Sequence, residues 1–162
     1  MRHGLGSEHP LCDRVQPMML ILFFILWGID TLGFFIFGYS TVIFQALTFP
    51  PLLTGTILSL ALSFYLISKS HKAVLEQVHD QPQLVDSGVY AWVRHPMYLG
   101  TLLFCLAVLF IAVSLVSLVI WIGFFIFYDR MTAYEENSLI EILGEPYAAY
   151  QRRVSKWIPN VW

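Results

Sequence analysis

MYLGTLLFCLAVLFIAVSLVSLVIWIGFFIFY, which is residues Met97–Tyr128, contains no Asp, Glu, Lys or Arg. A helix of about 20 apolar residues is enough to cross the hydrocarbon core of a bilayer. The stretch is too long for one crossing and short for two, which predicts a tight helical hairpin. We place the break near Ala112–Leu115, where two serines cluster, and the two spans at about 97–112 and 115–128.

Two further apolar stretches precede the hairpin, at about 15–39 and 52–68, and each has the length of one crossing. The chain has 162 residues, of which 57% are hydrophobic and only 12% are charged, so it falls outside the range of soluble globular proteins. This length fits one domain, 1–162. The sequence therefore predicts an all-α membrane protein with about four transmembrane helices, the third and fourth forming the hairpin.

The positive charges predict the orientation of the chain in the membrane. With four crossings, the N-terminal arm, the loop 69–95 and the C-terminal tail share one side, and all nine Lys and Arg residues lie there. Cytoplasmic loops carry the excess of Lys and Arg, and a three-span arrangement would divide these charges between both sides. We expect a multi-pass integral membrane protein whose N- and C-termini are both cytoplasmic.

The C-terminal tail predicts an amphipathic helix over about 132–153. Leu139, Leu143, Tyr147 and Tyr150 recur at helical spacing beside charged residues. This pattern is typical of a helix that lies against a membrane surface. We therefore expect the tail to follow the cytoplasmic face of the bilayer.

Composition and spacing argue against two kinds of partner. The net charge is −2, and no basic stripe with interleaved aromatic residues is present, so nucleic acid is not expected. His71, His79 and His95 lack the spacing of zinc ligands, so no metal is expected either.

A dense group of polar and aromatic residues lies at the start of the predicted third span. Pro96 suits the first turn of a helix, and Arg94 and His95 would then lie at the helix N-terminus, where free N–H groups favour an anion. The alternative is that Arg94 and His95 are anchors that reach towards lipid headgroups. The adjacent proline and the flanking Tyr90 and Tyr98 favour a ligand site for a carboxylate or phosphate.

Glu135 and Glu136 form the second group, just past the last predicted span. Two neighbouring carboxylates near a membrane surface are unfavourable when partly desolvated unless a cation offsets them. A sulfonium compound with an α-ammonium group would supply such a cation. The alternative is that both side chains are solvated at the start of a surface helix, where acidic residues are favoured in any case.

Asp30 is unusual because it lies within the first apolar stretch. An ionised group there is costly and is normally functional or paired. We expect it to form a polar link between helices, bonded to a group such as Thr31, Ser63 or Tyr65. The alternative is a position near the channel for a substrate.

The two groups together resemble the isoprenylcysteine carboxyl methyltransferase and phospholipid methyltransferase family of integral membrane enzymes. The resemblance covers about 84–159 and rests on two motifs. The first comprises Leu84, Val85, Gly88, Tyr90, Arg94, His95, Pro96 and Tyr98. The second comprises Glu135, Glu136, Leu139, Gly144, Tyr147, Tyr150, Val154 and Pro159. The loop before Leu84 is short for the family and lacks its usual Leu-Gly and Trp segment.

The resemblance implies that S-adenosylmethionine binds in a cytoplasm-facing pocket between the loop before the third span and the C-terminal helix. Arg94 and His95 would contact its carboxylate, and Glu135 or Glu136 its ammonium group. Leu84, Val85, Tyr90 and Tyr98 would enclose it. Arg130 lies about one residue from the position of an arginine that binds the acceptor in the family, and we take Arg130 and Glu135 as candidates for a catalytic role.

The methyl acceptor is expected to be amphiphilic or lipid-like, because a site at the bilayer boundary admits a lipid tail from the side. A prenylcysteine carboxylate, a phospholipid amine and a thiol are all compatible with the motifs. Two alternative functions stay open: an NADPH-dependent membrane reductase of the sterol type, which shares an Arg-His-Pro-x-Tyr motif, and an inactive membrane scaffold of the same fold. The sequence gives no indication of the oligomeric state.

Overall fold

The fold is all-helical, as predicted. A computed structural model of the chain describes residues 12–38, 49–75, 84–111 and 114–159, and these contain helices and turns but no strand. A short 3-10 turn covers Gly88–Ala91. The five α-helices in chain order are α1 Cys12–Phe37, α2 Phe49–Leu75, α3 Pro96–Ile111, α4 Leu115–Leu143 and α5 Glu145–Arg153.

Three helices are long and apolar enough to cross a membrane by length and composition. These segments are Val15–Phe37, Pro50–Val74 and Leu115–Leu143. The chain is therefore a multi-pass integral membrane protein. Helix α3 is also apolar but has only 16 residues, about 24 Å of helix against the roughly 30 Å of a hydrocarbon core. The number of four crossings stays a prediction.

The predicted hairpin is confirmed. Helix α3 ends at Ile111 and α4 begins at Leu115. The side chain of Ser114 caps α4 by accepting a hydrogen bond from the Ser117 N–H at 3.2 Å, as an N-cap serine does in general. The two helices run antiparallel, and the Trp121 indole N–H donates to the Leu102 carbonyl across them at 2.9 Å. Ser114 therefore stabilises the start of α4 at the break between the two helices.

Two predicted boundaries are wrong. Helix α2 continues to Leu75, so residues 69–75 are helical and not part of a loop. The tail helix predicted at 132–153 has other boundaries, because α4 is continuous to Leu143 and a break at Gly144 separates it from α5. Residues 129–143 contain no glycine or proline to stop the helix. Gly144 has a φ of 66°, which favours glycine and ends the helix there.

Helices α2 and α3 pack closely through small residues. The Ser63 hydroxyl donates to the Gly100 carbonyl at 2.7 Å. A Cβ atom at Gly100 would lie 2.7 Å from Cγ1 of Ile67, and one at Gly55 would lie 3.1 Å from the Phe110 ring. Small residues at helix contacts are typical of membrane proteins because they let two backbones approach. This contact fixes the start of α3 against α2.

Asp30 links α1 to α4. Its Oδ2 accepts a hydrogen bond from the buried Ser114 hydroxyl at 2.5 Å. The expectation of a polar link between helices is confirmed, with a partner that the sequence did not indicate. The link lies at the N-terminal end of α4, whereas Glu136 follows 22 residues later, about 33 Å along the helix. Asp30 is therefore distant from the acidic pair.

Candidate active site

A sharp turn brings Arg94 and His95 to the start of α3. Gly88 opens the 3-10 turn with a φ of 62°, a conformation that glycine adopts without strain. The backbone N–H of Arg94 then donates to the Ser155 carbonyl at 3.0 Å, which ties the turn to the C-terminal segment. Pro96 begins α3, as predicted, and is fully buried. The local sequence thus holds both side chains between α3 and the end of the chain.

Glu136 lies at the centre of a buried polar cluster. Its Oε1 is 2.8 Å from Nε2 of His95 and 3.0 Å from Nε of Arg94. With Glu136 ionised, the imidazole nitrogen is the donor of this hydrogen bond. The other carboxylate oxygen accepts from the Gln151 amide at 2.9 Å. Glu136 is therefore held by groups from the loop before α3 and from α5.

Arg94 is only partly satisfied by these contacts. Its Nη1 donates to the Gln151 carbonyl at 2.9 Å. Its Nε is near enough to Glu136 for an ion pair, but it is buried and makes no hydrogen bond. A buried N–H donor without a hydrogen-bond acceptor is unfavourable. This donor can be satisfied by an anion that enters the cluster.

Glu135 has a more open environment than its neighbour. The buried Tyr98 donates its hydroxyl to Oε1 of Glu135 at 2.6 Å. Nδ1 of His95 lies 3.9 Å from the other oxygen, beyond hydrogen-bond distance. Glu135 thus makes one short hydrogen bond and keeps an oxygen for a further donor. His95 lies between the two glutamates with one ring nitrogen towards each.

Two buried tyrosines of α5 pack next to the polar cluster. Tyr147, Tyr150 and Val154 are buried together, with Leu84 packed against them. Burial raises the pKa of Tyr147 and of Tyr150 above the ordinary phenol value, so both stay neutral. The Tyr150 hydroxyl donates to the Tyr90 carbonyl at 2.8 Å. The apolar face of the predicted tail helix therefore packs within the protein.

The structure brings together most of the predicted site residues. Tyr90 is half-buried beside Ser70 and Glu135, and burial is the main cause that raises the pKa of its phenol. Val85 is half-buried in the irregular segment before the 3-10 turn. The side chain of Arg130 is exposed on α4 and lies outside the Glu136 cluster.

Gln151 is a site residue that the sequence analysis missed. It contributes its backbone carbonyl to Arg94 and its amide to Glu136. A signal was present, because Gln151 follows Tyr147 by four residues and so shares its helix face. Gln151 was missed because an uncharged side chain between Tyr150 and two arginines does not suggest a function. Its contacts with Arg94 and Glu136 also depend on the break at Gly144.

The cluster combines one anion that is fully paired and one that is not. Arg94 and His95 provide hydrogen-bond donors near Glu136. Glu135, the preceding residue of α4, provides a carboxylate oxygen as an acceptor. Such a pair of opposite charges suits a small molecule that carries both a carboxylate and an ammonium group. Within residues 12–38, 49–75, 84–111 and 114–159, no group of three or more His, Cys, Asp and Glu residues could hold a metal ion.

Comparisons with known proteins identify a family and relatives of this chain. Residues 46–146, more than half of the chain, match the family model described as phospholipid methyltransferase. The chain is 33% identical to Protein-S-isoprenylcysteine O-methyltransferase of Mus musculus over 108 residues, and 34% identical to that of Homo sapiens over 112 residues. Each alignment covers 66% of this chain and 38% of the relative.

A third relative has higher identity over a shorter stretch. Protein-S-isoprenylcysteine O-methyltransferase of Saccharomyces cerevisiae is 38% identical over 80 residues, which is 48% of this chain and 33% of the relative. The chain thus spans less than two fifths of the length of these relatives. The family that the two motifs predicted is confirmed by the match over 46–146: the chain belongs to the phospholipid methyltransferase family.

Proposed function

We propose that the chain transfers a methyl group from S-adenosylmethionine to an amphiphilic acceptor at the cytoplasmic face of the membrane. The observation that carries this proposal is the convergence of two distant segments. The start of α3 supplies Arg94 and His95, α4 supplies Glu135 and Glu136, and His95 Nε2 lies 2.8 Å from Glu136. Family membership and the relatives named as methyltransferases support the same reaction.

The residues of the cluster fit the amino-acid portion of the methyl donor. The guanidinium of Arg94, whose Nε is paired with Glu136 without forming a hydrogen bond, would supply positive charge for the carboxylate, and His95 lies beside it. Glu135 keeps an oxygen for the ammonium group because Tyr98 occupies only the other one. Tyr90, Leu84 and Val85 would enclose the rest of the molecule. A charge-assisted hydrogen bond of this kind is about twice as strong as a neutral one.

The methyl donor supplies an activated methyl group on a positively charged sulfur. Transfer from a sulfonium is an in-line displacement that removes positive charge, so a protein accelerates it mainly by aligning the reactants and excluding water. Arg94 and His95 orient one end of the donor and Glu135 the other. Burial of Tyr98 and Tyr147 keeps water from the cluster. Glu135 is assigned to the ammonium group of the donor, and Arg130, which is exposed on α4 outside the Glu136 cluster, stays a predicted contact with the acceptor.

The acceptor is proposed to be a prenylcysteine carboxylate, because the relatives are named as isoprenylcysteine O-methyltransferases. A carboxylate acceptor needs no general base to activate it. A phospholipid amine and a thiol are the remaining acceptor classes. In the proposed orientation the charged ends of α2, α4 and the tail lie in the cytoplasm, where the donor is supplied.

Ligand binding tests this proposal against the sterol-type reductase and the inactive scaffold. Calorimetry on the detergent-purified chain would compare S-adenosylhomocysteine with NADPH. We expect binding of S-adenosylhomocysteine alone. Binding of NADPH alone would support the reductase, and binding of neither would support the scaffold. Transfer of a tritiated methyl group to lipid extracts and to prenylcysteine would then identify the acceptor.

Substitutions at the cluster test the site itself. We expect His95→Ala and Glu136→Ala each to weaken S-adenosylhomocysteine binding by roughly 10-fold or more, because a hydrogen bond to a charged group contributes about 1.5–3 kcal/mol. Glu145→Ala is the matched control, since Glu145 forms only an exposed pair with Arg152. Melting temperatures would confirm that each variant is folded. Wild-type affinity in both cluster variants would contradict the assignment.

A further inference from the structure

The segment that follows α5 is fastened to α4 at one residue, Asp129. The Lys156 ammonium donates to Oδ1 of Asp129 at 2.7 Å and to its carbonyl at 2.8 Å. The indole N–H of Trp157 donates to the same Oδ1 at 2.9 Å. Two consecutive side chains thus converge on one carboxylate, and the Lys156 ammonium also lies 5.9 Å from the centre of the Trp157 ring.

This attachment places Trp157 against His95. The two ring centroids are 6.0 Å apart, with an interplanar angle of 43°. The Tyr98 ring centroid also lies 6.0 Å from that of His95, with an interplanar angle of 27°. The imidazole is therefore in contact with two aromatic rings. Trp157 in turn packs on Phe125 of α4, with the ring centroids 5.6 Å apart.

We propose that Asp129 and Trp157 are positioning residues of the active site. Trp157 fixes the orientation of the His95 imidazole, and Asp129 fixes Trp157. This inference rests on the proposed function, because the orientation of His95 matters only when His95 contacts the methyl donor. Neither residue was assigned a role from the sequence.

The orientation of the His95 ring matters because its two nitrogens face different glutamates. Nε2 bonds to Glu136, while Nδ1 points towards Glu135 at 3.9 Å. Rotation about the side-chain bonds would exchange or displace these nitrogens. The two neighbouring aromatic rings restrict that rotation through packing, and Tyr98 alone would restrict it less. Without the Trp157 ring, the imidazole gains rotational freedom that donor binding must remove.

A series of substitutions separates positioning from general stability. Trp157→Leu removes the aromatic face, whereas Trp157→Phe keeps a smaller aromatic ring and loses the N–H that Asp129 accepts. We expect the affinity for S-adenosylhomocysteine to fall by roughly 10-fold in Trp157→Leu and by roughly 3-fold in Trp157→Phe, since each 1.4 kcal/mol corresponds to a factor of 10. Calorimetry would measure the affinity, and melting temperatures would be recorded in parallel.

Asp129 gives an independent pair of variants. Asp129→Asn keeps an oxygen that can accept the indole N–H, and Asp129→Ala removes it. We expect Asp129→Ala to reduce the affinity by roughly 3- to 10-fold and Asp129→Asn to reduce it less. Asp86→Ala is the matched control, because it breaks the exposed pair with Arg153 away from the cluster. The control should bind like the wild type.

The outcomes distinguish this inference from the proposed function. Absence of binding to the wild-type chain would contradict the proposed function and the inference with it. Wild-type binding together with unchanged affinity in Trp157→Leu and Asp129→Ala would overturn the inference alone. It would equally be overturned if affinity followed the melting temperature in all four variants, regardless of whether an aromatic ring remains.

Discussion

Buried charge at Glu136 is acceptable because each carboxylate oxygen has a partner. His95 and Arg94 serve one oxygen and Gln151 the other. A buried carboxylate without such partners would be strongly destabilising. The sequence indicated the two motifs separately, and the helical hairpin implied that they lie on one side of the membrane. It did not indicate that Arg94 and Glu136 contact each other, because contacts between side chains depend on helix rotation.

Tyr98 provides a test at the level of one hydroxyl group. Tyr98→Phe removes the 2.6 Å hydrogen bond to Glu135 but keeps the ring beside His95 and Tyr128. Glu135 then loses the group that holds it in place. We expect roughly 5- to 10-fold weaker binding of S-adenosylhomocysteine, because the hydroxyl donates to a charged acceptor. Calorimetry is the measurement.

The control for this variant is Tyr65→Phe. Tyr65 is exposed on α2 and stacks on Trp92, so the loss of its hydroxyl should leave the affinity unchanged. If Tyr98→Phe bound S-adenosylhomocysteine as tightly as the wild type, the Tyr98 hydroxyl would not be needed to orient Glu135 for the ligand.

Among the elements, α4 differs most from its predicted form. The apolar residues 115–128 and the break before them were identified from the sequence, because both depend on local composition. The continuation to Leu143 was missed because the change from apolar to charged residues at Asp129 suggested a boundary. Hydropathy changes there, but helix propensity does not. The true end is at Gly144, where the backbone conformation favours glycine.

The close contact between α2 and α3 can be tested at Gly100. Gly100→Ala places a methyl group 2.7 Å from Cγ1 of Ile67 and 3.2 Å from the Ser63 carbonyl oxygen. One side or the other must move, and overpacking of this kind costs about 1–3 kcal/mol. We expect a lower melting temperature in detergent, measured by circular dichroism.

Gly123→Ala is the matched control for this contact. A Cβ atom at Gly123 would meet nothing within 4 Å, and alanine is the better helix former by about 1 kcal/mol. Its melting temperature should equal or exceed that of the wild type. If both variants were equally stable, the α2–α3 contact would not limit stability.

For the molecule as a whole, the number and order of apolar stretches determined most of what could be predicted. Charge distribution and the hairpin placed both motifs at one end of the helices, and they meet there. The way in which α5 and the C-terminal segment fold back onto the site could not be predicted from the sequence. It depends on the turn at Gly144 and on the contact between Asp129 and the C-terminal segment, which join residues far apart along the chain.

Asp30 tests whether this arrangement depends on α1. Asp30→Ala removes the hydrogen bond from Ser114, and interhelical hydrogen bonds in membrane proteins contribute about 0.6 kcal/mol on average. We expect a small decrease in melting temperature and unchanged affinity for S-adenosylhomocysteine, because Asp30 is distant from Glu136. Asp30→Asn, which can still accept the hydrogen bond, is the control. A marked loss of affinity in Asp30→Ala would indicate that α1 contributes to the site.

Because α4 is continuous, the distance from the start of its charged part to the acidic pair is fixed by the peptide backbone. Asp129 begins the charged part of the helix and Glu136 lies seven residues further on, about 10 Å along the axis. Under the proposed function, an acceptor whose tail stays among the acyl chains would have to bring its reacting atom over that distance. The proposed reaction would therefore favour amphiphiles with a matching length between tail and head.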